Sequence, residues 1–140
     1  LLGVLIKNAE VLELMEKIDT LVVDKTGTLT EGKPKLVSVI AADKFNEESV
    51  LRLGASLETN SEHPLAEAIV CGAKEKNLSL ASINHFKSIT GKGVSGIGED
   101  KQVAIGNLKL LQDFKVGAAH LIEQAEELRR DAQTAMFVVV

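Results

Sequence analysis

Val4, Leu5, Ala9, Leu12 and Met15 recur mostly three or four residues apart, with Lys7, Glu10, Glu13 and Lys17 between them. This spacing predicts an amphipathic helix within residues 3–17. The period then changes. Thr20-Leu21-Val22-Val23-Asp24 is a short, nearly continuous apolar run of the kind buried on both faces of a parallel sheet, and it feeds into a polar loop rich in Gly and Thr. After Gly32-Lys33-Pro34, whose Gly and Pro suit a hinge or domain crossing, residues 35–42 form another β-rich run. Two helices are predicted next. The first covers 46–58 and opens on an Asn cap with acids in its first turn; the second starts at Pro64 and runs to about residue 77, since proline suits a first helical position. Residues 83–89, 93–97 and 102–105 read as short strands, with Gly98-Glu99-Asp100-Lys101 as a hairpin turn. Helices are expected near 108–114 and 118–130, and the apolar end, 135–140, reads as a strand. The order predicts an antiparallel α+β insert, a sheet flanked by helices, set between two pieces of a parallel sheet.

Composition narrows the function. The chain has 140 residues, 45% hydrophobic and 26% charged, which is globular and about one domain's worth. Aromatic residues make up only 3%, four Phe with no Trp or Tyr, so stacking platforms for oligonucleotides are scarce. A net charge of −4 without a basic run also argues against nucleic acid as a partner. A lone cysteine, Cys71, excludes an internal disulfide, and its apolar neighbours Ile69, Val70 and Ala73 make packing its simplest role. No apolar run approaches the roughly 20 residues that span a bilayer. The start at Leu1 and the stop within an apolar, β-branched run are read as the ends of a piece of something larger.

The stretch that carries chemistry is Asp24-Lys25-Thr26-Gly27-Thr28-Leu29-Thr30. At the carboxyl end of a parallel strand, where open α/β sheets place their ligands, a carboxylate such as Asp24 can attack a phosphoryl group and form an aspartyl-phosphate. Lys25 adds a cation, Gly27 permits close approach of backbone, and Thr26 and Thr28 offer hydroxyl and N–H groups to phosphate oxygens. In phosphatases of the haloacid-dehalogenase type, the position two residues after the nucleophile is a second Asp that works as general acid and base. Here it is Thr26, whose hydroxyl cannot do that proton work near neutral pH, so the acyl-phosphate should persist.

The seven-residue motif resembles the phosphorylation sequence of the P-type ATPases. The resemblance implies that Asp24 is the phosphorylated aspartate and that Thr26 contacts phosphate and, with Asp24, helps to hold Mg²⁺. It also implies a nucleotide-binding domain inserted in a Rossmann-like phosphorylation domain. Residues 1–33 would be the first segment of the latter, 34–133 the nucleotide-binding domain, and 134–140 the start of the return segment. Ser61-Glu62-His63-Pro64-Leu65 resembles the His-Pro motif of the heavy-metal branch, which also uses a Glu five residues earlier, a Gly-x-Gly loop and a Gly-Asn pair; these correspond to Glu58, Gly91 and Gly93, and Gly106 and Asn107. ATP is then expected against these residues, with Glu58 accepting from the adenine amino group and His63 supplying a flat ring beside a helix N-terminus. The Gly-x-Gly-x-x-Gly spelling from Gly91 to Gly96 is not a dinucleotide fingerprint, because a turn follows it instead of a helix. His85 and His120 lack a metal-ligand pattern.

The resemblance implies the cytosolic ATP-binding part of an integral membrane pump. Its partners would be ATP and the transmembrane, actuator and remaining phosphorylation domains of the same polypeptide. Copper(I) is the preferred cargo, on the likeness of Gly3-Val4-Leu5-Ile6-Lys7 and the Ser61–Leu65 motif to bacterial copper pumps, and this chain would not itself bind the ion. The family's second acidic Mg²⁺ loop and second lysine have no counterpart here, so weak nucleotide binding with little turnover is expected. A haloacid dehalogenase-like phosphatase and a non-catalytic nucleotide-binding module are the rivals.

Overall fold

The computed structural model describes residues 8–24, 32–42 and 44–140. The chain divides into two compact units, Leu1–Lys33 and Pro34–Val140. In the first, helix α1 covers Ala9–Met15, and the Asn8 side chain caps it by accepting the Glu10 N–H at 3.0 Å. None of its residues is buried. Residues 20–24 do not form the predicted strand. Leu21 is 77% exposed and Val22 92% exposed. A strand exists only through a ladder of backbone hydrogen bonds to a neighbour, and the described residues of this unit provide none, so an apolar run alone is not enough. Residues 1–7, including the whole Gly3–Lys7 segment likened to copper pumps, residues 25–31 and Asp43 lie outside the described residues.

The second unit is built on a four-stranded antiparallel sheet in the order β1 (Ile83–Ile89), β2 (Gly93–Gly98), β3 (Lys101–Gly106), β4 (Phe137–Val139). Its helices are α2 (Glu47–Glu58), α3 (Pro64–Glu75), α4 (Leu108–Asp113) and α5 (Ala119–Arg130). This is the expected α+β architecture of an antiparallel sheet flanked by helices. Two terminal expectations change. The closing run was expected to lead back into a parallel sheet, yet it pairs antiparallel with β3 in the register Ala104↔Val139 and Gly106↔Phe137. Residues 35–42 take no place in the sheet. Leu36 and Val39 pack against the main core while Val37 and Ile40 stay exposed. Apolar alternation reports which side chains want burial but not whether a strand edge is within reach to pair.

Helix α2 explains the core. The Asn46 side chain accepts the Ser49 N–H at 2.7 Å, and Glu47 and Glu48 sit favourably at the positive end of the helix. Leu51, Leu53, Ala55 and Leu57 are buried with Val94, Val103 and Ile105 of β2 and β3. Each fully buried Leu contributes about 1.5–3 kcal/mol relative to exposure. Leu53 lies against Gly98 and Leu57 against Gly96, so travelling toward the C-terminus of α2 means travelling back along β2 toward Gly93. At the opposite end, Arg52 pairs with both carboxylate oxygens of Glu99 in the hairpin turn. Glu99 and Asp100 have φ of 51° and 60°, the mirror-image turn whose twist suits a two-residue hairpin. A smaller cluster of Leu111, Ala125 and Phe137 joins α4 and α5 to β4.

Two glycines near the site differ sharply in what they tolerate. Gly93 has φ 150°, and a Cβ there would collide with the Ile105 carbonyl oxygen and the Gly106 backbone. Gly91 has φ 69° with nothing within 4 Å of where a Cβ would stand. Gly93→Ala is therefore expected to cost more than about 3 kcal/mol of stability, against roughly 1–2 kcal/mol for Gly91→Ala, which bears only the backbone penalty. Equilibrium urea unfolding of the two variants checks this, and equal losses would contradict it.

Candidate functional site

The C-terminal end of α2 and the N-terminal end of α3 meet at an open hollow of about 440 Å³. Its walls include Glu58, Ser61, His63, Pro64, Glu67 and Lys74. His63 is the N-cap of α3: its Nδ1 accepts the Leu65 N–H at 3.2 Å. In the neutral ring this places the proton on Nε2. The His63 N–H in turn donates to Ser61 Oγ at 3.3 Å, and Pro64 follows at the first helical position, where its missing N–H costs nothing. The motif from Ser61 to Leu65 thus has a local structural purpose, which is to hold the His63 ring at the mouth of the hollow. The sequence signal of this supporting role is a serine two residues before the histidine.

Glu58 is the unusual member. It is the last residue of α2, whose C-terminal half from Leu53 onward is buried throughout, and it is only 3% exposed. Its Oε2 is buried with no hydrogen-bond partner among the described residues. Burial pushes its carboxyl above the ordinary carboxylate range, opposed by a hydrogen bond from Ser61 and by the positive charge His63 can carry. A buried, unpartnered carboxylate oxygen is costly unless something supplies a donor. The wall of the hollow therefore offers an acceptor for an incoming N–H group.

The glycine loop and the Gly-Asn pair come together as a second cluster. Asn107 donates from Nδ2 to the Gly91 carbonyl at 2.8 Å and from its backbone N–H to the Lys92 carbonyl at 2.9 Å. Its Oδ1 accepts the N–H groups of Lys109 and Leu110 and caps α4. Gly93 and Gly106 let β2 and β3 approach backbone to backbone. Gly91 is the glycine whose side-chain direction is open. These four residues do not line the hollow at Glu58 and His63, although the direction of α2 places both at the Gly93 end of β2.

Asp24 lies in the first unit, exposed and outside any regular element. Lys25 and Thr26 fall outside the described residues. Among the described residues, no three His, Cys, Asp or Glu side chains gather as a metal site, and no helix is long and apolar enough to cross a membrane.

Residues 18–140 match the family described as haloacid dehalogenase-like hydrolase, and the chain belongs to it. Over 138 residues, 99% of its length, it is 56% identical to the copper-exporting P-type ATPase of Legionella pneumophila subsp. pneumophila. A zinc-transporting PIB-type ATPase in its E2.Pi state superposes with a TM-score of 0.73 at 31% identity, covering 82% of this chain and 18% of that one. The N-domain of a copper-transporting P-type ATPase superposes with a TM-score of 0.64 at 26% identity, covering 75% of this chain and 88% of that domain. The chain spans 16 to 19% of the length of the curated copper-transporter relatives it matches.

The raised Glu58 carboxyl sets a pH dependence of stability. A group whose folded pKa lies above its unfolded value favours the native state fully below the unfolded value, here 4.5, and loses that contribution as pH rises through the folded value. Glu58→Gln cannot lose it. The stability of the wild-type chain is therefore expected to fall relative to Glu58→Gln as pH rises from 4.5, then to level off. Thermal unfolding of both across that range measures the difference, and a difference independent of pH would contradict it.

Proposed function

We propose that this chain is the ATP-binding part, together with the phosphorylation loop, of a metal-cation-transporting P-type ATPase, on the cytosolic side of the membrane, with copper(I) as the preferred cargo. The observation that carries the reading is the buried, unpartnered Oε2 of Glu58 in the wall of a hollow whose mouth holds the His63 ring. The likeness to copper exporters over 98–99% of this chain supports the transport class over a free-standing phosphatase of the same hydrolase family. The whole pump's activity belongs to a polypeptide much longer than this chain.

In this reading Glu58 accepts the amino N–H of adenine, which converts its desolvation cost into recognition. His63 packs its ring on the purine and is held in orientation by Leu65 and Ser61. Asn107 holds the Gly91–Gly93 loop against α4, so that the open side of Gly91 can receive the nucleotide. Asp24 then attacks the terminal phosphorus: a bond forms between a carboxylate oxygen and phosphorus, and the bond to the bridging oxygen of the diphosphate breaks, releasing ADP. Mg²⁺, when bound, supplies charge neutralisation at the transferred phosphate, and Asp24 and Thr26 are the residues of this chain that would hold it. Thr26, lacking a carboxyl, leaves water unactivated, so the phosphoenzyme lasts long enough to drive a conformational step.

Adenine carries an amino group where guanine carries a carbonyl, so Glu58 should discriminate between them. Glu58→Met is expected to weaken ATP binding about tenfold and to narrow the preference for ATP over GTP. His63→Asn keeps a helix cap but removes the ring, and is expected to weaken ATP binding severalfold while stability changes by less than about 1 kcal/mol. NMR titrations with a non-hydrolysable ATP analogue read both, and unaltered affinity in both variants would refute the site. In the intact pump, Asp24→Asn should bind ATP normally yet take up no label from γ-³²P ATP; labelling at the wild-type level would refute the phosphorylation role.

A further inference from the structure

The walls of the hollow at Glu58 favour the base of a nucleotide and disfavour its phosphates. Glu58, Glu62 and Glu67 line it against a single lysine, Lys74, which sits in the last turn of α3 near the negative end of that helix. A triphosphate must leave such a hollow on a path away from the carboxylates. Because α2 points its C-terminus toward the Gly93 end of β2, the loop of Gly91, Lys92 and Gly93 lies in that direction. Lys92 stands between the open Gly91 and the closely packed Gly93. Its backbone is immobilised on both sides, the N–H donating to Ile89 and the carbonyl accepting from Asn107, each at 2.9 Å. Its side chain is not idle: Nζ lies 2.5 Å from Oδ2 of Asp113, the last residue of α4. The pair is solvent-accessible, with side-chain exposures of 35% and 50%, so it is weak enough to exchange.

Resting on the reading of the hollow as an adenine site, we infer that Lys92 is the phosphate-binding cation of this domain and that Asp113 holds its ammonium until a polyphosphate displaces the carboxylate. A fixed backbone with a pivoting side chain suits this exchange. One ammonium trades a single carboxylate for several phosphate oxygens, and the loop does not have to be reordered. The pair then tunes specificity: it opposes adenosine not at all and opposes ATP by the work of separating Lys92 from Asp113.

The test is calorimetric or NMR titration of the full chain with adenosine, AMP and ATP in buffer free of divalent cations, for the wild type, Lys92→Gln, Asp113→Asn and the double variant. Lys92→Gln is expected to lower ATP affinity about five- to tenfold and leave adenosine affinity unchanged. Asp113→Asn, freeing the ammonium, is expected to raise ATP affinity about two- to fivefold. The double variant should show no such gain, since the carboxylate acts only through Lys92. An ATP-to-adenosine ratio that Lys92→Gln leaves unchanged overturns the assignment of Lys92 while the adenine site stands. A gain from Asp113→Asn that persists without Lys92 overturns the holding role of Asp113. If wild-type chain binds ATP but not adenosine, the adenine reading fails, and this inference fails with it.

Discussion

The burial of the apolar face of α2 across β2 and β3 is the interaction on which the site rests. Leu51, Leu53, Ala55 and Leu57 leave water together with Val94, Val103 and Ile105, and the helix has no freedom to roll once they do. Glu58 ends the half of α2 in which every residue from Leu53 onward is buried, and its carboxylate leaves solvent with them. The Arg52 pair with Glu99 ties the middle of α2 to the hairpin and holds the Glu99 carboxyl below its ordinary range. Strand register, helix position and the desolvation of Glu58 are thus consequences of one packed interface.

Around that interface the polar groups divide by duty. His63 and Asn107 are both helix N-caps, and each uses its side chain to satisfy helix N–H groups while presenting its remaining atoms near the site. Capping is a local requirement that any helix imposes, so these two side chains are oriented before any ligand arrives. Gly93 and Gly106 serve the contact between strands, and the shape of the loop they anchor follows from it. Groups already satisfied by the fold would need little reorganisation to receive a ligand. Glu58 is the exception, a group the fold leaves wanting a partner.

Much of this was readable in order along the chain. The cap Asn46, the proline at the start of α3 and the turn at Glu99 and Asp100 are local signals, and the elements they bound fall within a residue or two of expectation. The expected strands at 20–24 and 35–42 did not form, and the closing strand joined the antiparallel sheet. Those three segments share a cause: strand formation is decided by a partner distant in sequence, whereas a helix closes its hydrogen bonds within itself. The motif residues were legible as types at spacings, but their working states were not. That Glu58 is buried with its Oε2 unpartnered among the described residues, that Gly93 is filled by a neighbouring backbone while Gly91 is open, and that Lys92 is held by Asp113 are facts about what stands beside each residue.

By itself, then, the amino-acid order determined the helices, the hairpin, the apolar inventory of the core and the chemical character of the stretch from Asp24 to Thr30, because each depends on neighbours within about one or two turns of chain. The tertiary structure alone decided which apolar run became a strand, which carboxylate lost its water and which cation was engaged. Ladder pairing, desolvation and ion pairing are set by groups brought together from far along the chain, as Glu58 and the β2–β3 sheet are, and no local pattern encodes that meeting.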